Sequence, residues 1–254
     1  LSGHSAFKIK QIKNYWLEQL PKHYTDLSKI QYVLYDGTYF GRNNCFISIM
    51  NALDQSISDH IHTSKEGYNN VLPWFQQLKA NGLNPLVITM DGEISVIRAI
   101  HEIWPQTKIQ RCLYHIQREG LRWLRSFPKT QAGRELRAIL SALASIKSFK
   151  DRDVFLELFH SWINAHYTFI KALPNTTVEF KDLKKTATLI KNALPDMFHY
   201  LDDSSIPSTT NALEGFFSRL KSDYQRHRGL SSLHRINYLN WYCYLKTNAR
   251  STNF

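Results

Sequence analysis

The chain is 254 residues long and 43% hydrophobic, enough for a substantial core in one large domain or in a domain carrying an insertion. Lys and Arg number 32 against 21 acids, a net charge of +11 that points to a polyanionic partner held with strong salt dependence. Three cysteines without a Cys-x-x-Cys pair disfavour a disulfide framework and a zinc ribbon, no run of about 18 apolar residues suits a membrane span, and the basic residues are too scattered for one membrane-surface helix.

Leu1 opens the sequence where a Met would be natural, so an N-terminus further upstream is expected, and no signal peptide is recognisable. Phe7, Ile9, Ile12, Trp16 and Leu20 recur at roughly helical spacing up to Pro21, which predicts a helical lead-in within residues 1–30. Strand-like runs follow at 31–40, 44–52 and 56–63, separated by Gly41-Arg42-Asn43-Asn44 and by Asp54-Gln55, and they predict an antiparallel meander. Next come a helix from Asn69 to Lys79, a strand at 85–90, a helix from Glu93 to Ile103 and a short strand at Lys108-Ile109-Gln110. That β-β-β-α-β-α-β order suits an α/β fold with a mixed five-stranded sheet and flanking helices, and residues 31–119 read as its first part. From about Gly120 to Ile206 the apolar period is helical, broken at Pro128, Pro174 and Pro195, which predicts an all-helical insertion over 120–206. Asn211 to Lys246 returns to long helix, interrupted at His227-Arg228-Gly229, and residues 207–254 read as the C-terminal helical part of the core.

Three acids stand in distinctive settings. Asp36 lies in the run Tyr32 to Thr38 and would project from a sheet face, although Asp-Gly is also a common hairpin turn. Asp91 ends the apolar strand Pro85 to Met90, where α/β folds keep ligands; it could equally cap the helix that follows. Glu214 opens an amphipathic helix, with Asn211, Glu214, Ser218, Lys221 and Gln225 on a polar stripe and Leu213, Phe217, Leu220 and Tyr224 on an apolar one. Asn211 and Glu214 also match a capping box. Two acids on neighbouring strands and one on a late helix can hold a pair of Mg²⁺ ions for in-line attack on a phosphodiester. Cys112 and His115 have the spacing of half a zinc site, but no second pair stands out, so packing or DNA positioning beside the active site is expected of them. Arg219, Lys221, Arg226 and Arg228 are candidates for DNA backbone contacts, against the alternative of a solvated helix face. Trp123 and Trp162 could stack on a flipped or hairpin-end base; both lie on apolar stripes, where core packing is the commoner role.

Taken in order, Asp36-Gly37-Thr38, the strand ending Asp91-Gly92, Arg111-Cys112-x-x-His115 and Thr209-Thr210-Asn211-x-x-Glu214, with the stretch through Lys221 and His227-Arg228-Gly229-Leu230 behind them, resemble bacterial insertion-sequence transposases of the Mutator-like type. The resemblance covers about residues 31–119 and 207–246. It implies a ribonuclease H-like fold in which Asp36, Asp91 and Glu214 form an Asp-Asp-Glu triad, both catalytic and metal-binding. It further implies two Mg²⁺ ions per site, with Mn²⁺ able to substitute, and cleavage at transposon ends followed by joining of the freed 3′ hydroxyl to target DNA. Implied partners are transposon-end and target DNA and a second copy of the chain, as a homodimer or larger on DNA, in a cytoplasmic, nucleoid-associated location if the host is bacterial. Such relatives commonly read their terminal repeats through an N-terminal zinc ribbon or helix-turn-helix, and neither is evident before residue 30. Two other readings fit the same acids: a domesticated or truncated DNA-binding protein without catalysis, and another ribonuclease H-like nuclease.

Overall fold

The structure, a computed structural model, describes residues 3–21, 25–227 and 229–251. Three strands, β1 (Tyr32–Tyr39), β2 (Cys45–Asn51) and β3 (Ile57–Thr63), form the expected antiparallel meander, while β4 (Val87–Met90) and β5 (Lys108–Arg111) run parallel to β1. The sheet order is β3-β2-β1-β4-β5, so β1 is central and pairs antiparallel on one side and parallel on the other. Alternation along β1 divides the core. Val33 and Tyr35 point to the face covered by α2 (Tyr68–Ala80) and α3 (Ile94–Ile103), where Val71, Phe75, Val96 and Ile100 are fully buried. Leu34 points to the other face, packed by Leu213, Phe217 and Leu220 of α8 (Asn211–Gln225) and by Leu239 and Tyr242 of α9 (Ser232–Ser251). Helices on both faces of the sheet explain why β2 is buried from Cys45 to Met50 without polar alternation.

Between β5 and α8 every described element is helical: α4 (Leu113–Leu124), α5 (Gln131–Ser141), α6 (Phe149–Ala172) and α7 (Val178–Ala193), with single 3₁₀ turns between and after them. Leu136, Leu140, Phe155, Phe159, Trp162, Leu183 and Ile190 give this unit its own core. Gly120 lets α4 approach closely, because a Cβ there would overlap the Leu140 side chain. Helical structure therefore begins at Leu113, ahead of the Gly120 boundary read from periodicity. The lead-in helix α1 (Ala6–Leu17) is tied to α9: Trp241 Nε1 donates to the Trp16 and Gln19 carbonyls at 2.9 Å, and Asn237 donates to Leu17 O at 2.7 Å. Its apolar stripe faces outward, with Phe7 70% exposed. Among the described residues no helix is long and apolar enough to cross a membrane.

Candidate active site

Strand pairing brings the first two acids together. Leu34 of β1 lies opposite Thr89 of β4, and continuing that parallel register by two residues sets Asp36 beside Asp91. Asp36 is not in a turn: it pairs with Ser48 across the β1–β2 ladder, and the hairpin bend lies beyond Tyr39. Its Oδ1 accepts a 2.8 Å hydrogen bond from Gly37 N. Asp91 stands just past the carboxyl end of β4, and its Oδ1 accepts from Glu93 N at 3.0 Å. The N-cap of α3 is Glu93, which accepts from Ser95 N, so Asp91 is not the cap. Arg111 closes the site from the β5 side, its Nε donating to Asp91 O at 3.1 Å. The guanidinium lies over Gly92, whose φ of +101° and missing Cβ both serve this approach; a side chain there would overlap Arg111.

Glu214 arrives in the first turn of α8, on the sheet face that also carries Leu34. The capping-box alternative is not realised, because the N-cap is Thr210 and no side chain caps that end. Instead the Glu214 carboxylate turns to the Cys-x-x-His segment. His115 Nε2 is 3.3 Å from Glu214 Oε1, and Thr210 Oγ1 lies 3.5 Å from the same oxygen and 3.5 Å from His115 Nδ1. Cys112 is the residue before α4, and its buried Sγ accepts from Thr210 N at 3.3 Å and from Thr210 Oγ1 at 3.4 Å. Cys112 and His115 thus dock the start of α8 onto the start of α4 and hold the third acid.

Charge is concentrated here at a cost. Burial, and then the facing carboxylates of Asp91, Glu214 and Glu66, push Asp36 up to about 8, against the lowering effect of the Gly37 amide. Glu66 is pushed up to about 7, chiefly by burial and then by Asp91 and Glu93. This fourth carboxylate was not singled out in the sequence, where Thr63-Ser64-Lys65-Glu66-Gly67 reads as a polar connection. Its Oε2 would lie 3.4 Å from a Cβ on Gly37, which sets it against the strand next to Asp36. The Tyr35 phenol beneath is buried, and burial followed by the Glu66 carboxylate holds it above its usual range. Burial holds His115 below the usual histidine range, while Glu214 opposes that shift.

An all-oxygen set of mutually repelling carboxylates has the donor chemistry of a hard divalent cation. The carboxylates are not drawn into a closed ligand set: among the described residues no group of three or more His, Cys, Asp and Glu is arranged to hold a metal ion.

The basic and aromatic candidates divide by position. Lys221 lies two turns from Glu214 on the same stripe of α8, its Nζ 5.8 Å from the Phe40 ring centre. Arg219 is exposed on another side, beside Phe216, Tyr242 and Lys246 of a separate depression. Arg226 is exposed and 3.8 Å from Asp223. Arg228 lies outside the described residues. Trp162 is corrected as a stacking candidate: it is 3% exposed and its Nε1 donates to Ala132 O at 2.8 Å, so no base can reach it while α6 stays packed. Trp123 is only half-buried and lines an open cleft.

Residues 54–230 match the family model described as "Transposase, Mutator family". Asp91, Cys112, His115 and Glu214 lie inside that stretch and Asp36 precedes it. No curated protein matches the chain.

Proposed function

The chain belongs to the Mutator family of transposases, and on that premise we propose that it cuts at transposon ends and joins the freed 3′ hydroxyl to target DNA by metal-dependent phosphoryl transfer on a ribonuclease H-like core. The observation that carries this reading is the juxtaposition of acids: a half-buried Asp36 on β1 faces Asp91 at the end of β4 and Glu214 of α8, and burial first, then the charge of those neighbours, raises its proton affinity. Carboxylates from three distant segments do not converge on one another without something to offset the repulsion.

Asp36, Asp91 and Glu214 would hold Mg²⁺, with Mn²⁺ as a substitute. Two such ions, when bound, supply a Lewis acid that activates water or the 3′ hydroxyl and neutralises charge on the departing oxygen. The chain's own groups do the rest. His115 and Thr210 orient the Glu214 carboxylate, and Cys112 fixes Thr210. Arg111 holds the backbone at Asp91. Lys221, two turns along from Glu214 on the same side of α8, would meet a phosphate. Joining two ends to one target calls for two copies of the chain on DNA.

The test uses pre-cut and uncut end duplexes with Mg²⁺. Asp36→Asn, Asp91→Asn and Glu214→Gln should each reduce cleavage and joining by at least about 1,000-fold while DNA binding persists, as expected for groups acting at the transition state. Undiminished joining in any one variant removes that residue from the site. A second reading, a DNA-binding protein that keeps this fold without catalysis, is favoured by the lack of a closed ligand set among the described residues. Mg²⁺-dependent joining by the wild-type chain would dispose of it.

A further inference from the structure

A cleft of about 1030 Å³ runs from the Asp91 end of the sheet into the helical unit. Gly92 and Arg111, the residue hydrogen-bonded to the Asp91 carbonyl, line it. Ile97 of α3 lines it too, and α7 supplies Phe180, Lys181, Lys184 and Lys185. Trp123 enters from α4. The basic groups are interleaved with rings: Lys185 Nζ sits 6.0 Å from the Trp123 ring centre and Lys184 Nζ 5.4 Å from that of Phe180. Asp196 is the acid that lines the same space.

The combination selects one kind of occupant. Three lysines and an arginine against one carboxylate call for an anion, and the Trp and Phe rings call for flat apolar faces. A DNA duplex supplies phosphates but keeps its base faces stacked inside, whereas an unpaired strand supplies both at nucleotide spacing. An inorganic anion would leave the rings unused, and an apolar ligand would leave the lysines unused. The ammonium groups now resting over the rings are on flexible stems and can swing to phosphates, freeing the ring faces for bases.

We propose that this cleft binds a short unpaired stretch of DNA strand leading to or from the Asp91 carboxylate, with Trp123 and Phe180 stacking bases and Lys181, Lys184 and Lys185 meeting phosphates. It deepens the transposase reading by naming the form of the DNA next to the reacting phosphate, and its test does not depend on cleavage.

Affinity of the full chain for a fluorescein-labelled oligothymidylate and for a duplex of equal length should be measured by anisotropy in EDTA. Trp123→Ala should weaken single-strand binding about 5- to 100-fold, the usual effect of losing one stacked base, and leave duplex binding within about twofold. Trp123→Phe should retain most of the single-strand affinity, and combined Lys181→Gln, Lys184→Gln and Lys185→Gln should flatten its salt dependence. Unchanged single-strand affinity in Trp123→Ala, or an equal loss on both substrates, overturns the proposal. Photocrosslinking of wild-type chain to an iodouracil oligonucleotide covers the case of a misfolded variant: adducts on Trp123 or Phe180 support the cleft, and adducts confined to other segments reject it. A wild-type chain that never cuts DNA but loses single-strand binding selectively on Trp123→Ala would leave the cleft standing and the transposase chemistry refuted; cutting without that selective loss would do the reverse.

Discussion

Asp36 shows how one residue's titration reports on its surroundings. Its acid is raised from 3.8 to about 8 and that of Glu66 from 4.5 to about 7, so both bind protons more tightly in the folded chain than in the unfolded one. That contribution to stability is complete below about pH 4 and is lost as pH rises through 7 to 8. Without divalent ions the melting temperature should therefore fall between pH 6.5 and 9, and Asp36→Asn should remove most of that fall, a difference of roughly 2–5 kcal/mol at pH 9. Thermal melts across pH with and without Mg²⁺ check this; identical slopes in wild type and Asp36→Asn would contradict it. On the acid side His62, held down at about 4 mainly by burial, acts with the other sign: its contribution is present above pH 6.5 and lost as pH falls through 4. Between about pH 4 and 6.5 the His62 contribution therefore offsets part of the decline due to Asp36 and Glu66.

Among the elements, α8 determines whether the third acid is in place. Leu213, Phe216, Phe217 and Leu220 are buried against β1, β2 and α9, while Ser218 is exposed on the same helix. Phe217→Ala should cost about 3–5 kcal/mol and Ser218→Ala no more than about 0.5 kcal/mol, read by chemical denaturation. Equal losses would mean that α8 is not held by its apolar stripe. That stripe was legible in sequence because its 3.6-residue period is local, and so were the five strands, whose apolar runs are bounded by Gly, Asn and Asp. The contacts of His115 with Glu214 and of Cys112 with Thr210 were not legible: each joins residues about a hundred positions apart, and only the meeting of the starts of α4 and α8 reveals that a capping-box pattern has another use. Glu66 was missed for the same reason, since a lone acid beside Gly67 looks solvated until the fold sets it over Gly37. Periodicity also made Trp123 and Trp162 look alike, although tertiary packing buries one and leaves the other on a cleft.

At the scale of the whole molecule, the net charge of +11 coexists with a patch of four acids at the carboxyl end of the parallel strands. DNA affinity should come from the basic exterior and its decline with salt should follow the number of phosphates neutralised. For a contact to about six phosphates, a rise from 50 to 200 mM salt should cost about 10³-fold; a flat response in a titration would rule out backbone-dominated binding. The acids oppose that attraction locally, so a phosphate would be repelled from the site itself unless cations accompany it. The helical unit between β5 and α8 has a further consequence, one of timing. During synthesis the sheet segments carrying Asp36 and Asp91 leave the ribosome first, and Glu214 follows only after α4 to α7 have been made. At about 5–20 residues per second the interval is several seconds or more. A nascent or prematurely terminated chain would then hold two acids of three, and the order of the segments would act as a safety catch against cutting DNA before the protein is whole.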